Sequence, residues 1–242
     1  MTMQPINSAY DVVIVGARCA GAATAMRLAA LGLRVLVFDK SRIGTDTVST
    51  HALMRPAVLL LRRWGIADRL DEEGTPRIKK TSFVYTDDHG SDAIDIEIKP
   101  RQGVDALYAP RRTVLDRALV EAARKEGADV RHGVRMLDLL RADGGRVSGV
   151  IVRDESGRRR EVRAGLVIGA DGRNSNVATL VGATPYVWGR HATACAFGYF
   201  DNLPVSGNRW YFRPGTGAGA IPTNHGQTCV FASVPESLSL IH

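Results

Sequence analysis

Residues 11–39 constrain this chain more than any other stretch. Asp11-Val12-Val13-Ile14-Val15 is a short, nearly continuous apolar run, as a strand buried on both faces should be. Gly16-Ala17-Arg18-Cys19-Ala20-Gly21 follows as a glycine-bearing turn. Ala22 to Leu31 is rich in alanine and leucine, which favours helix, and Gly32 suits the helix C-cap. Arg34-Val35-Leu36-Val37-Phe38 reads as a second strand closed by Asp39. Strand, turn, helix, strand is a βαβ unit, and such a unit places the fold in the α/β class with a parallel sheet.

The turn has a chemical meaning. A helix that starts there points its free N–H groups at whatever occupies the turn, which suits a pyrophosphate. Gly16 allows the tight turn, Gly21 lets helix and strand pack closely, and Ala25 continues the close-packed side. The usual dinucleotide fingerprint has a middle glycine where this chain has Arg18, and a Cβ there narrows the approach to the phosphates. Asp39, at the end of the second strand, can accept hydrogen bonds from an adenosine ribose. This local chemistry suits FAD and NAD equally, since both present a pyrophosphate and a ribose.

Further along, residues 52–70 read as helical, with Leu59, Leu60, Leu61 and Trp64 on an apolar side. Phe83-Val84-Tyr85 and the alternating Ile94-Asp95-Ile96-Glu97-Ile98 flank Asp87-Asp88-His89-Gly90, which predicts a hairpin. Arg112 to Lys125 is amphipathic and helical, carrying Leu115, Leu119 and Ala122. Three strands separated by turns follow, over 134–140, 147–152 and 159–163. Leu166-Val167-Ile168 is another buried strand, ending in Gly169-Ala170-Asp171-Gly172. From Cys195 the pattern is β-like, with turn-rich breaks at 202–208 and 213–219.

Composition narrows the functional classes. The 242 residues carry a net charge of +7, but the basic residues are dispersed, and the one run, Arg158-Arg159-Arg160, follows a turn as a solvated hairpin face. No base-reading or stacking element goes with the charge, so nucleic acid is not an expected partner. Arg18, Arg27 and Arg34 interrupt the apolar stretch from Val12 to Phe38, which reads as soluble rather than as a signal or a span. Three cysteines, Cys19, Cys195 and Cys229, form no CxxC pair, which points to a reducing cytoplasm and away from zinc or a disulfide framework. Cys19 reads as a small buried hydrophobe rather than a nucleophile. No G-x-S-x-G elbow, Walker A loop, HExxH or metal-spaced cluster is present.

Three pieces in order resemble one family: the unit from Gly16 to Asp39; Arg112-Thr113-Val114-Leu115-Asp116 with Leu119; and Gly169-Ala170-Asp171-Gly172 with Ser175. The chain resembles the FAD-dependent aromatic hydroxylases, the group A flavin monooxygenases of the p-hydroxybenzoate hydroxylase-like fold, and their geranylgeranyl reductase-like relatives. The resemblance covers nearly the whole chain. It implies a Rossmann-type FAD-binding domain, a parallel sheet with a three-stranded meander, over 8–75 and 103–185, and part of a β-rich substrate domain over 76–102 and 186–242.

Under that resemblance FAD is the cofactor and NAD(P)H the electron donor. Reduced flavin and O₂ then hydroxylate an aromatic or other small organic substrate without a covalent side-chain nucleophile, so no catalytic residue is assigned. The cofactor-binding candidates are Gly16, Ala17, Arg18, Cys19, Ala20, Gly21, Asp39, Lys40, Arg42, Arg112, Gly169, Asp171 and Gly172. Arg112 has an alternative as a surface arginine at a helix start, with Arg111 beside it, and Asp171 as a turn-forming Asp-Gly. Ser41 to His51 is implied to near the flavin, although Thr45, Thr47, Ser49 and Thr50 equally suit a helix-capping loop. Trp210, Tyr211 and Phe212 are implied pocket-lining residues, or core. The family's later Gly-Asp motif has no match before His242, so the resemblance implies a chain truncated at its C-terminus. Two alternatives stand beside the hydroxylase: a reductase of a prenyl substrate, and a cofactor-binding remnant without turnover.

Overall fold

The computed structural model describes residues 6–49, 52–189 and 192–238. Strand β1 (Ala9–Val15), helix α1 (Cys19–Ala29) and strand β2 (Val35–Asp39) come first. Helices α2 (Arg55–Arg63) and α3 (Ala67–Glu72) precede strands β3 (Arg77–Ile78), β4 (Lys80–Thr86), β5 (Ser91–Glu97) and β6 (Leu107–Tyr108). Helix α4 (Arg112–Lys125) leads into β7 (Asp129–His132), β8 (Arg135–Arg141), β9 (Val147–Arg153) and β10 (Arg159–Gly169). The short helix α5 (Asn176–Leu180) is followed by β11 (Thr193–Phe200), β12 (Asn208–Arg213), β13 (Thr216–Pro222) and β14 (Thr228–Pro235).

Packing divides these elements into two units, Met1–Thr47 with Leu115–Pro185 and Val48–Val114 with Tyr186–His242. Residues 48–75 and 103–114 thus group with the second unit, whereas the sequence reading puts them in the first. The reason lies in their partners. The Leu53 N–H donates to Tyr108 O at 2.7 Å, Arg62 and Arg77 both bond Asp105, and the Tyr108 hydroxyl donates to Asp71 at 2.8 Å.

The first unit is an α/β layer around a six-stranded sheet of order β7-β2-β1-β10-β9-β8. The pairs β7–β2, β2–β1 and β1–β10 are parallel, while β10–β9 and β9–β8 are antiparallel. Val13, Ile14, Leu36 and Val37 are fully buried, as the unbroken apolar runs require. Helix α1 packs on β1 and β2 through the face carrying Ala22, Ala25 and Met26. The helix C-cap is Ala30 rather than Gly32; Gly32 lies two residues further on, at φ +83°, and turns the chain away with its N–H donating to Ala29 O.

Four other local expectations change. Helix α1 begins at Cys19, within the glycine turn, because Arg18 O already accepts from the Ala22 N–H at 2.8 Å. Residues 159–163 and 166–168 are one strand, β10, which pairs antiparallel with β9 from Arg159 to Arg163 and parallel with β1 from Arg163 to Gly169. The 52–70 helix is two helices, broken at Gly65, where φ is +68°. Strand β7, only four residues of mixed polarity, is an addition, since so short a stretch carries no periodic signal.

The turn between β9 and β10 is organised by Asp154, a buried carboxylate. It accepts from the Ser156 and Arg158 N–H groups, from the Ser156 hydroxyl and from Arg160. Those bonds hold its pKa well below the usual 3.8. A carboxylate with a depressed folded pKa stabilises the fold above its unfolded pKa, and that contribution fades as pH falls below about 4. Asp154→Ala is therefore expected to lose about 2 kcal/mol near neutral pH. The gap to wild type should shrink in acid, as read by denaturant melts across pH.

The second unit is built on a six-stranded sheet of order β11-β14-β13-β12-β4-β5, antiparallel except for β12–β4. The predicted hairpin is present as β4 and β5. The expected break at 213–219 is only a two-residue turn, Pro214-Gly215, and β13 runs through Gly217 and Gly219. Gly219 sits in a strand because a Cβ there would lie 2.3 Å from the Phe231 ring. Asn208 is fully buried, and neither of its side-chain polar atoms has a hydrogen-bond partner among the described residues. Asn208→Leu is expected to raise stability by about 1–2 kcal/mol, seen as a higher melting temperature.

Candidate functional site

The C-terminal ends of β2, β1 and β10 lie side by side in the first unit, with Val15 opposite both Phe38 and Gly169. That register brings the Gly16–Gly21 turn, Asp39 and the Gly169–Gly172 segment together, although they are far apart in sequence. Crevices at such strand ends are where α/β sheets bind ligands.

Gly16 has φ +103°, and a Cβ on it would lie 2.3 Å from Ala170 O. A Cβ on Gly21 would lie 1.7 Å from Gly16 O. Both positions therefore need glycine. The Gly16 N–H donates to Phe38 O at 2.7 Å, which anchors the turn to β2. Ala17 is buried, Arg18 and Cys19 are partly buried, and Ala20 is exposed. The Ala20 and Gly21 N–H groups lie in the first turn of α1, where a helix supplies no acceptor of its own.

Asp39 is fixed by two backbone donors, the Ala17 N–H to Oδ2 at 3.1 Å and the Ser41 N–H to Oδ1 at 2.8 Å. Lys40 and Arg42 lie just beyond it. A cleft within this unit is lined by Ala17, Arg18, Asp39, Arg42, Asp116 and His132, among others. Asp116 and His132 are not among the candidates that the sequence offers. Asp116 lies on α4, accepts the Cys19 thiol at 3.0 Å, and lies 3.6 Å from Arg18 Nη1. His132 ends β7, opposite Asp39, and burial lowers its pKa, keeping the imidazole neutral. The weak pattern of β7 hides His132 in the sequence; Asp116 stands within the 112–116 motif but carries no signal of its own.

Arg112 is the first residue of α4 and groups by packing with the second unit. Its neighbour Arg111 is fastened within that unit, donating to Gln227 at 2.7 Å and stacking 3.3 Å over the Tyr199 ring.

Asp171 caps helix α5. It accepts from the Ser175 hydroxyl at 2.5 Å and from the Asn176 and Val177 N–H groups. Ser175 is the N-cap and accepts from the Ala178 N–H. Gly169 leaves room for Val177, and Gly172, at φ +88°, turns the chain. Asp171→Ala is expected to cost about 1–2 kcal/mol of stability by thermal melt. Ser175→Ala should cost less, because Asp171 still bonds two backbone donors.

Residues 41–49 turn once, at Ile43-Gly44, where the Thr45 hydroxyl donates to Arg42 O at 2.7 Å, and they cap no helix. The N-cap of α2 is Met54. Thr50 and His51 lie outside the described residues. In the second unit Trp210 and Phe212 share one sheet face, where Phe212 stacks on Tyr85 at 5.4 Å and Trp210 meets Phe231 edge-on at 5.4 Å. Tyr211 points to the opposite face by strand alternation, so these three aromatics do not line one surface. Among the described residues no helix is long and apolar enough to cross a membrane.

A glycine cradle at the end of a parallel sheet, closed by a carboxylate on the adjacent strand, defines a dinucleotide-binding protein of Rossmann type. The family described as FAD binding domain matches residues 9–233, and this chain belongs to it. The chain is 30% identical over 197 residues to a digeranylgeranylglycerophospholipid reductase of Methanospirillum hungatei, covering 77% of this chain and 44% of that protein. A monooxygenase of Aspergillus candidus is 28% identical over 197 residues, covering 75% of this chain and 47% of that protein. The FAD-dependent chondrochloren halogenase of a myxobacterium has the same fold, with a TM-score of 0.79 at 20% identity over 96% of this chain and 54% of that one. The chain spans less than half the length of the curated relatives it matches.

The residues present fit FAD. Gly16 and Gly21 stand where a Cβ would strike the backbone at Ala170 O and Gly16 O, so the turn packs tightly at the strand ends, and two buried polar atoms lining the adjacent cleft, Arg18 Nη1 and His132 Nδ1, have no hydrogen-bond partner among the described residues.

Proposed function

We propose that the first unit holds FAD for an NAD(P)H-using flavin monooxygenase that hydroxylates a small aromatic substrate. The observation that carries the cofactor assignment is the obligatory glycine pair, Gly16 and Gly21, beside Asp39. The Ala20 and Gly21 N–H groups in the first turn of α1 receive the pyrophosphate. Asp39, held by Ala17 and Ser41, keeps lone pairs for the ribose hydroxyls. Lys40 and Arg42 supply positive charge toward an anionic cofactor. Asp171 acts by positioning: its cap on α5 sets the course of Gly169–Gly172 beside Gly16. When bound, FAD supplies the redox chemistry, taking electrons from NAD(P)H and delivering them to O₂ or to an organic substrate. The protein's part is to bind, orient and shield. In the second unit, the exposed aromatics Tyr85 and Phe212, with Phe83 beside them, offer a surface for a planar substrate, whereas Trp210 and Phe231 pack against the buried core of Ile221 and Cys229.

A second reading is a reductase of a prenyl double bond, favoured by the 30% identity to the lipid reductase. The experiment is a visible absorption spectrum with FAD titration, followed by NAD(P)H oxidation with and without O₂. Flavin bands near one equivalent with O₂-dependent NAD(P)H consumption and oxygenated product support the monooxygenase. Consumption coupled to a prenyl acceptor without O₂ supports the reductase. Flavin binding with neither turnover leaves a cofactor-binding chain only, and a folded chain that takes up no FAD overturns the proposal.

A further inference from the structure

Arg18 stands where the dinucleotide fingerprint has its middle glycine. That glycine ordinarily lets the backbone come close to the pyrophosphate. Here the backbone at Arg18 has φ −86° and ψ −166°, ordinary extended geometry open to any residue, so nothing in the turn demands glycine at this position. The side chain is not pointed away into solvent. It lines the cleft with Asp39, Arg42 and His132, and only 30% of it is exposed.

Its Nη1 is buried and has no hydrogen-bond partner among the described residues. The nearest anionic group, Asp116 Oδ2, is 3.6 Å away, within ion-pair range but beyond hydrogen-bond range. Asp116 itself is buried and accepts the Cys19 thiol through its other oxygen. The guanidinium is thus held in place by charge, with a donor still lacking an acceptor, next to the start of α1. A buried donor without an acceptor is costly. Planar guanidinium donors match phosphate oxygens, and the helix start favours the same anion.

We infer that Arg18 is a phosphate-contacting residue, a side-chain clamp on the cofactor pyrophosphate that takes the place of the close backbone approach a glycine would allow, with Asp116 holding the guanidinium in the cleft. This rests on the dinucleotide reading above. It makes an unusual claim: restoring the fingerprint glycine weakens binding instead of improving it.

The test is equilibrium titration of the whole chain and of Arg18→Gly, Arg18→Met and Arg18→Lys with FAD and with ADP, at low and high salt, beside melting curves of each protein. ADP carries the pyrophosphate and adenosine without the flavin. Expected are a loss of about tenfold or more in affinity for both ligands in Arg18→Gly and Arg18→Met, and a smaller loss in Arg18→Lys, which keeps the charge. The salt dependence of binding should also flatten in the two uncharged variants, because a charged contact has gone. A merely structural arginine would lower the melting temperature without changing that salt dependence.

Wild-type binding of FAD together with equal or tighter binding by a folded Arg18→Gly or Arg18→Met overturns the inference and leaves the dinucleotide reading standing. A wild-type chain that binds neither FAD nor ADP overturns both. If Arg18→Gly does not fold, the affinity and salt dependence of Arg18→Met, which keeps the aliphatic stem, decide the matter.

Discussion

Gly16→Ala is expected to abolish FAD loading and bring the chain to the edge of unfolding. The new Cβ would lie 2.3 Å from Ala170 O and 3.1 Å from the Asp171 Cα, both backbone atoms with little freedom to move. The backbone there has φ +103°, which side-chain-bearing residues adopt at a cost of about 1–2 kcal/mol. Overpacking adds about 1–3 kcal/mol. Together these take a large share of the roughly 5–15 kcal/mol that stabilises an ordinary domain. Gly21→Ala should be at least as severe, since its Cβ would lie 1.7 Å from Gly16 O and force β1 and α1 apart. Urea melts and flavin absorbance check both. A Gly32→Ala control, at a positive φ with nothing within 4 Å, separates the crowding from the backbone strain. Near-wild-type melting of Gly16→Ala would show that the turn can relax, against the packing described.

Asp39→Ala is expected to weaken FAD affinity about tenfold to a hundredfold while costing about 1–3 kcal/mol of stability. The carboxylate accepts the Ala17 N–H and the Ser41 N–H. Its removal leaves both without their acceptor and removes the group offered to the ribose. Asp39→Asn retains one acceptor oxygen, so it should recover part of the stability and less of the affinity. Calorimetric titration with FAD beside thermal melts distinguishes the two effects. Equal affinity in Asp39→Ala and wild type would remove Asp39 from the binding site.

Much of the cradle was legible in the chain itself. The apolar runs at Val12–Val15 and Val35–Phe38 could be buried only as central parallel strands, and the glycines between them marked the turn and the close approach. The ends of elements were less legible. Helix α1 starts three residues earlier than its alanine-rich stretch suggests, because the first turn is defined by a bond to Arg18 O rather than by side-chain propensity. Strand β10 reads as two strands because Ala164-Gly165 interrupts its pattern, although the backbone continues and changes its pairing. In the second unit Gly217 and Gly219 read as a break, but they accommodate neighbouring side chains inside a strand.

Local information alone was enough for the α/β class, the βαβ unit and the two glycines of the turn, since each rests on local periodicity or on backbone geometry that only glycine allows. Only the tertiary structure decided that Asp116 meets Cys19 and Arg18, that His132 lies opposite Asp39, and that the Asp171 carboxylate caps α5. Cys19 and Asp116 are 97 residues apart, and no local preference encodes such a contact. It is set by the docking of α4 and β7 onto the sheet, where burying apolar surface fixes the elements first and the polar side chains then take the partners that this packing leaves within reach.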